Sequence, residues 1–149
     1  MDKLSAGNAG LGPIVLPITA LLGLLLSAII RPTLVIEAGI GDFVIITCLL
    51  AGWAAWRFGA ALAGTWRSYS QVVAYSLPFA LLVRWVHFAL FHGTLLSLHY
   101  YLVDLIVVLS IASLGYRFVR SAQMSRQYHW LYAKRGPFAW APAEAEDRS

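Results

Sequence analysis

The sequence predicts an all-α integral membrane protein, a bundle of four transmembrane helices with an interfacial carboxyl-terminal tail. Three observations lead there. Apolar residues make up 60% of the 149 and charged residues only 12%, against roughly 45–50% and 25% in soluble domains. Mean hydropathy is +0.71, and so few charges cannot cover the surface of a water-soluble globule. The apolar residues also run continuously, without the two-residue alternation of a transmembrane barrel. Low charge argues against a disordered chain or a nucleic-acid module, and Cys48 as the sole cysteine argues against a disulfide scaffold. The whole chain, 1–149, reads as a single membrane domain.

Crossing a bilayer takes about 20 helical residues. The first candidate span, about residues 14–30, lies between Pro13 and Arg31-Pro32, with Pro17 expected in its first turn. A cleaved signal peptide is the alternative, but its basic region would be one lysine offset by Asp2, and no Ala-x-Ala site follows. A retained membrane helix is therefore expected. The second span, about residues 40–62, places Ala51, Ala55, Gly59 and Ala63 every four residues, a small-residue face on which another helix can pack closely. The sequence leaves open whether that helix is internal or belongs to another chain, although part of the face should serve the protein's own bundle. The third span, about residues 72–91, contains Pro78 and Arg84; the fourth, about residues 98–116, contains Asp104. The connection from His92 to Ser97 is short enough for a tight helical hairpin.

Basic residues outside the spans orient the bundle. Four spans put Lys3, Arg57, Arg67, Arg117, Arg120, Arg126, Lys134, Arg135 and Arg148 on one side and Arg31 alone on the other. Both termini are accordingly expected in the cytoplasm, and residues 117–149 form a cytoplasmic aromatic and basic tail. Trp130, Tyr132, Lys134 and Arg135 suit the headgroup region, where aromatics settle and anionic lipids attract cations. An interfacial helix ending before Gly136-Pro137 is expected.

A charge within a span costs about 2.5–3.5 kcal/mol at mid-membrane, so Arg84 and Asp104 need a reason. Arg84 lies 11 residues before the turn centre at Leu95 and Asp104 nine after it. In an antiparallel hairpin they fall about 3 Å apart along the axis, with His87 near the depth of Asp104. Tyr100 and Tyr101 are placed to donate to the carboxylate from the same helix. The set Arg84, His87, Asp104, Tyr100 and Tyr101 therefore reads as an intramembrane polar cluster. It is expected to be an ion pair that fixes helix register, with a proton or anion site as the sharper alternative. His87, His92 and His99, at intervals of five and seven, share no helical face and match no metal or haem pattern, so no cofactor or metal is expected and they read as surface or turn residues. No nucleophile elbow, phosphate-cradling loop or carboxylate pair is present, and no enzyme is expected.

Four segments carry a resemblance: Gly52-Trp53-Ala54-Ala55-Trp56; Thr65-Trp66-Arg67; His87 to Phe91 continuing through Gly93 to Asp104; and Gln127 to Tyr132 followed by Gly136-Pro137-Phe138. Over about residues 43–140 the chain resembles a family of small, uncharacterised bacterial inner-membrane proteins, often encoded beside branched-chain amino-acid ABC importer genes. The resemblance implies residence in a bacterial inner membrane and other membrane subunits as partners, possibly an ABC importer, and it supplies no site residues. The function expected is a non-catalytic small subunit or accessory protein of a transport-associated assembly. A small oligomeric transporter or proton channel using Arg84, His87 and Asp104 is the alternative, with a haem or metal-binding membrane protein a remote third.

Overall fold

The computed structural model describes residues 12–37 and 39–143. Among the described residues four helices follow one another up and down: α1, Gly12–Ile30; α2, Ile40–Gly64; α3, Tyr69–Phe91; and α4, Leu98–Gln127. A single turn of 3₁₀-helix, Pro32–Leu34, links α1 to α2. After α4 the chain forms a small antiparallel hairpin of β1, Tyr132–Lys134, and β2, Trp140–Pro142. Helices α2, α3 and α4 are long and apolar enough to cross a membrane; in α1 the apolar run Ile14–Ile30 is shorter. The described part of α1 already includes Gly12, so Pro17 lies beyond the first helical turn and not within it as expected.

Helix α4 is the hub, with α1, α2 and α3 each packed on it. In its most apolar 18 residues 56% are buried, against 33% in α2 and in α3. The small-residue face of α2 is what permits the closest of these contacts. Ala55 and Ala63 are fully buried and Ala51 nearly so. A Cβ added at Gly59 would collide with the Ala112 carbonyl, and one at Gly115 with the Trp56 carbonyl. The two backbones meet directly, each glycine receiving the other helix. The partner of this face is therefore α4 of the same chain.

Residues Phe43–Ala51 of α2 wind as a π-helix, a wider coil that proteins use sparingly and often near functional sites. Thr47 lies at its middle, completely buried and turned toward α3 and α4. The other ends of the helices need special backbone. Trp66, between α2 and α3, and His92, capping α3, both take positive φ, at 59° and 56°. Such a conformation is uncommon outside glycine, and for a bulky side chain it must be held by its surroundings. Trp66 is held by Arg120, whose guanidinium lies 4.4 Å over the indole, and by an edge contact with Tyr128.

The tail departs from the expected interfacial helix. Helix α4 runs on to Gln127 and the chain then reverses, so residues 128–134 are a turn and a strand. Gly136, with φ of 97°, makes the bend that brings Trp140 opposite Lys134. The reason is tertiary: Phe138 packs against Trp56 and Phe118, Trp140 lies under Arg117, and Ser121 donates to the Ala139 carbonyl at 2.9 Å. These anchors outweigh the local preference for helix. Residues 144–149 of the tail lie outside the described residues.

Candidate functional site

The up-and-down topology carries the α1–α2 connection and the α3–α4 turn to the same end of the bundle. There Glu37, Arg84 and Thr94 interlock. Arg84 is 2% exposed, and its Nε donates to the Thr94 carbonyl at 2.7 Å. Its Nη2 forms a salt bridge with Glu37 and also reaches the Thr94 carbonyl and hydroxyl. The other Glu37 oxygen accepts from the Thr94 amide at 2.8 Å and from its hydroxyl. Gly93 is buried beneath this knot, where a Cβ would sit 3.1 Å from the Glu37 carboxylate. Tyr100 lies under the guanidinium at 5.3 Å.

Asp104 lies one layer deeper. Its Oδ2 is 3.9 Å from Arg84 Nη1 and 4.0 Å from His87 Nδ1, near enough for charge attraction and too far for a hydrogen bond. Its Oδ1 faces the Thr47 hydroxyl at 3.5 Å, and that hydroxyl faces His87 Nε2 at 3.2 Å. Beside Asp104 is a cavity lined by Glu37, Asp42, Arg84, His87 and Tyr100 among others, with ≈ 10 Å³ for the centre of a water-sized sphere. That is room for about one water. Among the described residues no group of three or more His, Cys, Asp or Glu is placed to hold a metal ion.

The structure brings Arg84, His87 and Asp104 together, but the closest partner of Arg84 is Glu37. The tyrosines correct the expectation made for them: Tyr100 donates to the Thr33 carbonyl at 2.9 Å and Tyr101 to the Leu77 carbonyl at 3.3 Å. Helical side chains lean toward the amino terminus, so hydroxyls placed three and four residues before Asp104 project away from it. His87 is also not a surface residue, at 8% exposure. His92 is exposed in the turn, and His99 bonds the Leu34 carbonyl at 2.6 Å. Trp130, at 62% exposure, Lys134 and Arg135 stand on the outside of the hairpin, with Tyr132 half-buried.

Sequence reasoning missed Glu37, Thr47 and Thr94. Glu37 carried a usable signal, because an even number of helices sets its loop beside the turn after α3, next to a buried arginine that lacks a level partner outside Asp104. Thr47 was visible as the hydroxyl residue of the run Phe43–Ala51, which is otherwise apolar.

Burial alone would raise the Glu37 carboxyl, but hydrogen bonds from Thr94 and Arg84 and the arginine's charge outweigh it and hold the group below the usual carboxylate range. A depressed carboxyl stabilises the fold at pH above its ordinary value and loses that contribution as pH falls through the folded value. The melting temperature of the purified protein should therefore be level near neutrality and fall in acid. Glu37→Gln should lower it at neutral pH and flatten the acid limb; an unchanged acid limb would assign the transition to other groups.

A family model described as a domain of unknown function, DUF6867, matches residues 38–143. The match takes in α2, α3, α4 and the hairpin, and nothing in it links the family to ABC importer genes. No curated protein and no solved structure matches the chain. Since the matched region covers well over half of its length, the chain belongs to the DUF6867 family.

Proposed function

We propose that this protein is a small, non-catalytic membrane subunit of a larger bacterial inner-membrane assembly concerned with transport, an ABC importer being the candidate that the resemblance suggests. One observation carries the reading: most of the polar side chains buried in the bundle bond to groups of the chain itself, many of them backbone carbonyls, while much of the outside of the helices is apolar. Leu16 and Ile29 of α1, Trp53 of α2 and Leu81 of α3 are all more than half exposed. Clefts of ≈ 190 Å³ between α2 and α3 and ≈ 210 Å³ between α1, α2 and α4 have almost wholly apolar walls. Walls of that kind suit the side chains of another helix or lipid chains, and offer few polar groups to orient a small substrate.

The arrangement of charge supports a four-span topology with both termini cytoplasmic. Arg67, Arg117, Arg120, Arg126, Lys134 and Arg135 gather at the end holding the α2–α3 turn and the hairpin. Arg31, Glu37 and Asp42 lie at the opposite end. Trp130, Lys134 and Arg135 would then meet the cytoplasmic headgroups. Leu96 is 97% exposed in the α3–α4 turn. In a Cys48→Ala background, Leu96→Cys should react in intact cells with a membrane-impermeant maleimide, whereas a cysteine at Arg135 should react only after lysis. The reverse pattern would invert the topology.

Purification of the tagged full-length chain in a mild detergent, followed by native mass analysis, tests the subunit reading. A stoichiometric complex with other membrane proteins is expected. A homo-oligomer that conducts protons in vesicles, with conduction lost in Asp104→Asn, would replace it with the channel reading through Arg84, His87 and Asp104.

A further inference from the structure

The contacts around His87 constrain where its protons sit. His87 Nδ1 lies 3.1 Å from the carbonyl oxygen of Val83, one turn back in α3. A carbonyl only accepts, so Nδ1 carries a hydrogen. The other ring nitrogen and Asp104 Oδ1 then both face the same hydroxyl, that of Thr47, at 3.2 and 3.5 Å. With His87 neutral and Asp104 ionised, both are pure acceptors, and one hydroxyl hydrogen cannot serve two of them. Adding one proton to the pair satisfies both contacts of the Thr47 hydroxyl. On Asp104, it is donated from Oδ1 to Thr47 Oγ1, while the hydroxyl donates to Nε2. On His87, Nε2–H donates to Oγ1, while the hydroxyl donates to Oδ1. The forms exchange when the carboxylic proton passes to Oγ1 and the hydroxyl proton passes to Nε2; charge and proton number are conserved.

Charge accounting gives the same answer independently. The groups facing the pair are Glu37 from the α1–α2 connection, Asp42 from the start of α2, Arg84 from α3 and Tyr100 from α4. The hydrogen bonds of Arg84 go to Glu37 and Thr94, so its charge is matched. Asp42 is half-buried at the outer end of α2, and the Tyr100 hydroxyl is turned to Thr33. Asp104 is 3% exposed, and its Oδ2 has no hydrogen bond. Ionised beside a neutral His87, it would be a buried negative charge without a counter-charge of its own, a costly state within a membrane. One proton on the pair brings Glu37, Arg84, His87 and Asp104 to neutrality.

We propose that His87, Thr47 and Asp104 form a binding site for one exchangeable proton, which the Thr47 hydroxyl relays between imidazole and carboxylate. The π-helical winding of α2 sets Thr47 between the two, and the small cavity lined by His87 and Asp104 is also lined by Glu37, Gly39 and Asp42 toward the outer end of the bundle. The proposal is independent of the subunit reading, since a proton site can serve a lone bundle or an assembly.

The test is pH-difference infrared spectroscopy on the full-length protein in lipid bilayers, with isotope-labelled aspartate and histidine. At neutral pH the wild type should show either a carboxylic-acid band that Asp104→Asn removes or an imidazolium band that His87→Gln removes. Aspartate and histidine signals should change together in one step on raising the pH. Thr47→Val keeps the side-chain shape without the hydroxyl and should split that step in two, whereas Thr47→Ser should preserve it. The proposal is overturned if neither band is present in the wild type, or if folded Thr47→Val titrates as the wild type does. Should Thr47→Val not fold, the wild-type and Thr47→Ser spectra decide: a joint step in both supports the site, and separate aspartate and histidine steps in either refute it.

Discussion

Arg84→Gln should be the most damaging single change in the bundle, lowering stability by about 3–5 kcal/mol, the range found when one partner of a buried ion pair is removed. Arg84 holds the Glu37 carboxylate and the Thr94 carbonyl together, and so ties the α1–α2 connection to the α3–α4 turn. Glutamine is too short to reach both and leaves a carboxylate facing the interior without its counter-charge. The pattern of rescue is the sharper test. Adding Glu37→Gln removes the stranded charge and should recover a large part of the loss. Adding Asp104→Asn should recover much less, because Asp104 is bonded through Thr47 and lies 3.9 Å from the guanidinium. A double-mutant cycle on detergent-solubilised protein, read by thermal or denaturant unfolding, measures both couplings. Equal rescue by the two second changes would mean that Arg84 divides its charge evenly, contrary to the geometry.

Gly59→Leu should cost about 3 kcal/mol or more, at or beyond the upper end of ordinary overpacking. Overpacking is usually relieved by a rotamer change, but here the added Cβ meets the Ala112 backbone, which has no rotamer to change. Helices α2 and α4 would have to separate along the line where Gly59 meets Ala112 and Trp56 meets Gly115. Gly115→Ala, opposed by the Trp56 backbone, should show the same defect in smaller measure. Two controls share the chemistry without the contact: Gly23 and Gly64 have no atom within 4 Å of an added Cβ. Gly23→Ala, inside α1, should be neutral or stabilising by up to about 1 kcal/mol through helix propensity. Accumulation and melting temperature of Gly59→Leu, Gly115→Ala and Gly23→Ala check the series; a tolerated Gly59→Leu would show that α2 and α4 are not in direct backbone contact.

Helix existence and the small-residue face were legible in the sequence because they depend on nearby residues. Long apolar runs demand satisfied backbone bonds, and in lipid a single segment meets that demand only as a helix. The face of Ala51, Ala55, Gly59 and Ala63 is visible as spacing within one helix. The depth match of Arg84 and Asp104 follows from counting along a hairpin. Helix lengths were less legible: α4 continues eleven residues past the expected boundary of 116, because its polar end packs under the hairpin and is not bounded by the apolar run.

Only the tertiary structure decided the partners. It showed that the small face of α2 receives α4, that Glu37 holds Arg84, that the tyrosine hydroxyls leave Asp104, and that Thr47 stands between His87 and Asp104. It also turned the tail into a hairpin, because the pull of Phe138 toward Trp56 and Phe118 acts between residues remote in sequence. The physical reason is the same in each case. Hydropathy and spacing act within one segment and are written along it, whereas a hydrogen bond requires two groups within about 3 Å in a given orientation. Small rotations of a helix about its axis choose which polar neighbour is met, and those rotations are set by the packing of all four helices at once.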